Sequence, residues 1–476
     1  MIDLKNLTIE KTHDSFKNGV FTCTELVSEY LKVIKEKNDE LNVYLEIFSD
    51  VLEQAKKADE KFADGSFTLM TGIPIAIKDN ILFQGHIASS GSNILKNYTA
   101  VYNSTVVKKL KDAGAVIIGR TNMDDGAMGV STETSAYGVT KNPHDISRVP
   151  GGSSGGSTAS IAADMALVAL GSDTGGSCRQ PAAFCGVVGL KPTYGSVSRY
   201  GLISMGSSLD VIGAIGKNIS DVKIVFDFIA GQDKMDSTSI PLDFYKKKTI
   251  DRPTIGVPRA FISEGVDPRV LLNFEEKIKK LQSLNYTVKD VELPYAKYSV
   301  PAYYVVTPAE ISANLARLDG MRYGYSAEGG NLMEVYKKSR GKGFGREVRR
   351  RILLGTYVLS HGYHDAYYNK ANAVRELIIN DYSKAFKKVD LILTPTTTGP
   401  AFKIGEKVND PVKMYLEDIF TGPANMAGLP AISIPSGFVE EGEKKLPLGI
   451  QFMAPHGRED LLFQIGKEFE SIKDGP

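Results

Sequence analysis

Two glycine- and serine-rich loops, at residues 151–156 and 171–177, constrain the fold of this chain more tightly than any other feature of it. The first lies in RVPGGSSGG, residues 148–156, and the second is GSDTGGS. Between them, residues 157–166 are mostly small and read as a helix. Residues 167–170 form a short apolar run that reads as a buried strand. A unit of loop, helix, strand and loop belongs to a sheet covered by helices.

The rest of the chain repeats that alternation. Thr22 and Glu25 have capping-box spacing, and Leu26, Val27, Tyr30, Leu31 and Ile34 then recur on one helical face. Residues 73–77 are an apolar strand behind Gly72 that runs into a turn at Lys78-Asp79-Asn80. Ser104 caps a helix that stops near Gly114, ahead of a β-branched strand at 116–118. Further strands are expected at 254–257, 286–291, 389–394, 431–434 and 448–452, and helices at 269–284, 309–319, 345–359, 365–385 and 460–471. The pattern predicts an α/β fold with a large mixed β-sheet flanked by helices on both faces. Residues 301–388 carry few strand signals and read as a helical insertion. With no internal repeat and no Pro/Ser-rich linker, residues 1–476 read as a single domain.

Composition limits what such a domain can do. Charged residues make up 24% of the chain and balance to a formal net charge of +1, which argues against a protein that grips nucleic acid by itself. The densest basic run, Arg346 to Arg351, is broken by Glu347 and Val348 and reads as part of a helix. Cys23, Cys178 and Cys185 are an odd number without zinc-like spacing, so no metal site is expected, and they suit a reducing cytoplasm. Residues 1–10 lack a secretory apolar core, and no stretch reaches the roughly 18 apolar residues of a membrane span. The expectation is a soluble cytoplasmic protein without membrane contact.

The loops themselves suggest several chemistries. A phosphate cradle of the Walker type needs G-K-[ST], and no lysine stands in either loop. G-x-S-x-G occurs around both Ser153 and Ser154, but no strand precedes it. In the second loop, two glycines precede Ser177 directly after a buried strand. The backbone N–H groups of Thr174, Gly175, Gly176 and Ser177 can converge there as an oxyanion hole.

The segment GGSSGGSTASIAADMALVALGSDTGGSCRQPAAFCGVVGLKPTYG, residues 151–195, together with GIPIAIKDN, residues 72–80, resembles the amidase signature family. The resemblance implies the amidase signature fold, with a signature core at about 72–217, and a triad of Ser177 as nucleophile, Ser153 on a cis peptide as relay and Lys78 as base. Ser154 falls beside the relay in a supporting role. A lysine can act as base only if it is neutral, and burial among apolar residues such as 73–77 supplies that condition.

Flanking segments are similar to the glutamine-hydrolysing subunits of glutamyl-tRNA(Gln) amidotransferases: MDDGAMG at 123–129, EISANLAR at 310–317, RILLGTY at 351–357 and PANMAGLP at 423–430. That similarity implies glutamine as substrate, with Arg351 on its carboxylate, Asp418 on its ammonium, Tyr303 or Tyr304 as a polar wall, and Met128, Gly129 and Ser154 also binding the substrate. It also implies two partner subunits, B and C, of a heterotrimer. tRNA would be contacted mainly through the partner, and ATP and Mg would be used there, with no cofactor in this chain. Three other readings are a free-standing amidase on small amides, a non-catalytic scaffold, and an esterase using Ser153 or Ser154 with one of His361, His364 and His456.

Overall fold

The computed structural model describes residues 2–245, 248–262 and 265–471. Eleven strands form one sheet: β1 (Tyr44–Ile47), β2 (Pro74–Lys78), β3 (Val116–Thr121), β4 (Val168–Asp173), β5 (Val188–Lys191), β6 (Val211–Gly216), β7 (Ile255–Val257), β8 (Val288–Asp290), β9 (Leu391–Pro395), β10 (Ala431–Glu441) and β11 (Lys444–Met453). They lie in the order β1-β3-β2-β4-β6-β5-β10-β11-β9-β7-β8. β2 runs parallel to both β3 and β4, whereas β4 pairs antiparallel with β6 and β10 with β11, so the sheet is mixed as expected.

Every residue of β2, β3, β4, β6 and β9 is buried. A strand with no solvent-facing side needs cover on both faces, and that explains the unbroken apolar runs in place of alternation. β2 and β4 are parallel neighbours, so their carboxyl ends share one edge of the sheet, where open α/β sheets bind ligands. Lys78 ends β2 and Asp173 ends β4.

The small-residue helix spans Gly155–Ala162, starting and ending earlier than 157–166, because the glycines of the first loop already belong to its first turn. β4 continues three residues past the expected apolar run, carrying Gly171, Ser172 and Asp173 into the ladder with β6. The capping box at Thr22 and Glu25 and the Ser104 cap both form. β1, β5 and β6 have no counterpart in the sequence reading.

Among the described residues no strand lies between Asp290 and Leu391. Helices Ser299–Asn314, Leu332–Gly343, Arg346–Val358 and Lys370–Ala385 fill that interval, and the last is preceded by a π-helical turn, His364–Asn369, where helix was expected from 365. Helix Ser299–Asn314 begins at residue 299 rather than 309 and holds Pro308 in its interior. Proline there removes one helical N–H, but nine residues of the helix are buried, and packing overrides the local preference. Helix Arg346–Val358 crosses it at Gly355, where any Cβ would collide with the Pro308 carbonyl. Arg351 lies one turn from Gly355 on the same face and is thereby pressed against Tyr304.

Candidate active site

Lys78 is fully buried at the end of an apolar strand. Its Nζ donates to Ser153 Oγ at 2.8 Å, to Ser172 Oγ at 2.9 Å and to the Ser172 carbonyl at 3.3 Å. Burial pulls its pKa down from 10.5 to about 8, although the carboxylates of Asp124, Asp173 and Asp210 work in the opposite direction. Asn80 Nδ2 donates to the same Ser172 hydroxyl at 3.0 Å and so fixes the amine's neighbour.

The peptide Gly152-Ser153 is cis, as the resemblance implies. Gly152 packs so closely on the Asp124 carboxyl that a Cβ would collide with it. Asp124 is itself held by the Ser131 amide and the Thr134 hydroxyl, at 3.3 and 2.8 Å. Ser154 is tied to both neighbouring segments: its Oγ donates to the Ser172 carbonyl at 3.1 Å, and its amide donates to the Ser177 carbonyl at 3.2 Å.

Loop 174–177 presents its backbone to this edge. Among the described residues, the amides of Thr174, Gly175, Gly176 and Ser177 donate to no protein group. Gly176 has φ +144°, and a Cβ on it would strike the Thr421 hydroxyl, which donates to the Gly175 carbonyl at 2.7 Å. The loop is pinned from below by a pair missing from the sequence reading: Asp173 and Arg179, both fully buried, 3.0 Å apart. Burial works against the Asp173 charge, but the Arg179 guanidinium, helped by Lys191 and the Asn425 amide, holds the carboxyl at about 2. Arg179 also donates to Gln451 Oε1 and Asn425 Oδ1, both at 2.6 Å, and to the Thr421 carbonyl at 3.0 Å. No local signal marks this network, because Arg179 meets Thr421, Asn425 and Gln451 across 242 to 272 residues of chain. Ser177 is 9% exposed, and among the described residues its hydroxyl has no hydrogen-bond partner, so the expected bond to Ser153 is not made. Catalytic bonds of this kind commonly close only with substrate bound.

Tyr303 and Tyr304 divide their duties. A Cβ on Gly175 would lie 3.0 Å from the Tyr303 hydroxyl, so Tyr303 faces the loop. Tyr304 stacks on Tyr415 with ring centroids 3.6 Å apart, and the Arg351 guanidinium lies over both rings, at 5.0 and 5.6 Å. Arg351 is buried, and its Nε donates to Glu347 at 2.8 Å. Asp418 is also buried. Its carboxyl has no hydrogen-bond partner among the described residues, and burial pushes its pKa well above the usual carboxylate range while Arg351 pulls it down. The Met128 side chain is fully buried in an apolar cluster with Phe344 and Val348. Gly129 abuts the Asp124 carboxyl.

The amidase family model matches residues 25–463. The chain belongs to the amidase family. Among its relatives, the A subunit of glutamyl-tRNA(Gln) amidotransferase from Syntrophus aciditrophicus is 49% identical over 476 residues, covering 98% of each chain. The protein of that name from Thermoanaerobacter pseudethanolicus is also 49% identical, over 98% of this chain and 97% of its own. The crystal structure of the corresponding glutamyl-tRNA(Gln) amidotransferase chain from Thermotoga maritima superposes with a TM-score of 0.78 at 39% identity, covering 99% of this chain and 96% of that one. Peptide amidase from Stenotrophomonas maltophilia gives 0.80 at 27% identity, over 98% and 96%.

In this amidase the competing nucleophiles have poor settings. The Cys178 thiol is fully buried, and burial pushes its pKa up to about 12. His456 Nε2 lies 2.9 Å from the Ala427 carbonyl, and His361 is exposed. Ser153 and Ser154 are bonded to Lys78 and Ser172, not to a histidine. Among the described residues no helix is long and apolar enough to cross a membrane.

Proposed function

We propose that this amidase is the glutamine-hydrolysing component of a glutamyl-tRNA(Gln) amidotransferase. Neutral Lys78 takes a proton through Ser153 from Ser177, whose Oγ attacks the side-chain carbonyl of glutamine. The tetrahedral anion rests on the amides of residues 174–177, and the proton passes on to the leaving nitrogen. Ammonia departs and leaves a glutamyl ester on Ser177, which water hydrolyses to glutamate. Arg351 takes the substrate α-carboxylate, Asp418 the α-ammonium, and Tyr303 orients the group between pocket and loop.

The observation that carries this reading is a buried Lys78, its pKa lowered to about 8, 2.8 Å from Ser153 and beside a loop with four unbonded amides. The near-full-length relatives supply the biological setting. In it, the ammonia passes to a partner subunit of a heterotrimer, which uses ATP and Mg to amidate glutamate on tRNA. A near-neutral chain suits a component that leaves tRNA to its partner.

The test is reconstitution with the partner subunits, measuring glutamate release with Glu-tRNA(Gln) and with Asp-tRNA(Asn). Glutamine hydrolysis should rise when a cognate misacylated tRNA is present. Hydrolysis of short aliphatic amides, with no glutaminase activity in either the free or the assembled chain, would identify a free-standing amidase instead.

A further inference from the structure

Residues 205–210 form a closed turn just before β6. Asp210, buried at 3% exposure, accepts from the Met205 amide at 2.9 Å and the Gly206 amide at 3.1 Å. The same carboxyl accepts from Thr174 Oγ1 at 2.7 Å. Thr174 carries the first of the four unbonded amides, so its side chain is tied outward while its backbone faces the site.

The other side of the turn is held by the helical layer. Asn314 Nδ2 donates to the Met205 carbonyl at 3.0 Å and to Ser207 Oγ at 2.9 Å. Glu310 accepts from the Ser208 amide at 2.9 Å, and Arg375 donates to Ser208 Oγ at 3.0 Å. Asn314 and Glu310 lie on helix Ser299–Asn314, whose other half carries Tyr303 against Gly175. One helix therefore meets the nucleophile loop twice, once directly and once through the turn.

We propose that Asp210 and the Thr174 hydroxyl are positioning residues for the oxyanion hole, and that the turn 205–210 ties that hole to helix Ser299–Asn314. The physical need is specific. An oxyanion donor works only if it points at the charge that develops, and Thr174 precedes two glycines that leave the loop backbone free to swing. The Asp173–Arg179 pair fixes where the loop begins, the Thr421 bond fixes the Gly175 carbonyl, and the Asp210 bond sets the rotation of the Thr174 peptide. Because the tie ends on the helix that lines the substrate pocket, displacement of that helix reaches the hole without passing through substrate.

This inference rests on Ser177 as nucleophile, and the experiment separates the two. In the full chain assembled with its partner subunits, Thr174→Val keeps the shape and removes the hydroxyl. It should lower kcat for glutamine about tenfold with KM nearly unchanged, the signature of an interaction made in the transition state. Thr174→Ser restores the hydroxyl and should recover most of the loss. Asn314→Ala, at the far end of the tie, should lower kcat about threefold in the wild-type background and have no further effect in the Thr174→Val background. A wild-type kcat for Thr174→Val, or a full Asn314→Ala effect in both backgrounds, overturns the tie. Turnover by Ser177→Ala would instead remove the nucleophile assignment.

Discussion

Lys78 leaves water altogether on folding, and the proposed reaction uses its uncharged form, so acylation should track the deprotonation of this one side chain. With a pKa of about 8, roughly a tenth of the molecules hold neutral Lys78 at pH 7 and about a hundredth at pH 6. An ordinary lysine at 10.5 would be neutral in only about one molecule in three thousand at pH 7. The assay is kcat/KM for a small aliphatic amide, whose own protonation does not change in this range. The profile should rise about tenfold per pH unit up to about pH 8 and flatten above it. A profile level from pH 6 to 8, or one still climbing at pH 10, would refute the argument.

The same burial has a stability cost whose sign follows from linkage. Between about pH 8 and 10.5 the folded chain binds fewer protons at Lys78 than the unfolded chain, so stability should rise with pH across that window. Below it the full penalty applies, about 3 kcal/mol for a pKa brought from 10.5 to about 8. Lys78→Met should abolish turnover and yet raise stability at pH 7 by about 1 to 2 kcal/mol, after the loss of the Ser153 hydrogen bond is subtracted. Urea unfolding measures this, and a net loss of stability would count against it.

Three further outcomes can be checked. Arg351→Gln should raise KM for glutamine about 10- to 100-fold, the worth of one charge-assisted contact, while kcat/KM for small amides stays within about threefold; equal losses on both would dismiss the pocket. Arg179→Met strands a fully buried Asp173 and should cost about 3–5 kcal/mol in urea melts, so an unchanged midpoint would show that the pair holds nothing together. Gly176→Ala drives a methyl into Thr421 and rotates the oxyanion loop, so kcat should fall about 100-fold; labelling of Ser177 by a fluorophosphonate at the wild-type rate would contradict this.

The parts of the site that were legible in the sequence are those written contiguously. Ser153, Ser154 and residues 174–177 stand in two short loops, and Lys78 ends an apolar run whose burial is plain from its composition. Arg351 is singled out only through the resemblance, since the basic run around it reads as an ordinary helix and its burial depends on Gly355 meeting Pro308, a contact between two helices. Asp173, Arg179, Asn425 and Gln451 each look like surface residues when read singly, and only the fold brings them together. β5 and β6 escaped notice because their glycines, in VGLK and VIGAIG, weaken a strand pattern while permitting close packing. The early start of helix Ser299–Asn314 was hidden by Pro308 for a similar reason: burial supplied what propensity withheld.

The shared edge of β2 and β4 also bears on how this enzyme loses function under stress. Lys78 and the loop 174–177 extend from fully buried central strands, whose amides should exchange with solvent only when the whole sheet opens. Arg351 instead rides on a helix whose outer face bares Leu353, Leu354 and Tyr357, an element suited to opening on its own at lower free energy. Mild denaturant should therefore dissolve the preference for glutamine before it stops amide hydrolysis, leaving a less discriminating hydrolase on the way to the unfolded chain. Selectivity and chemistry reside in layers of unequal durability.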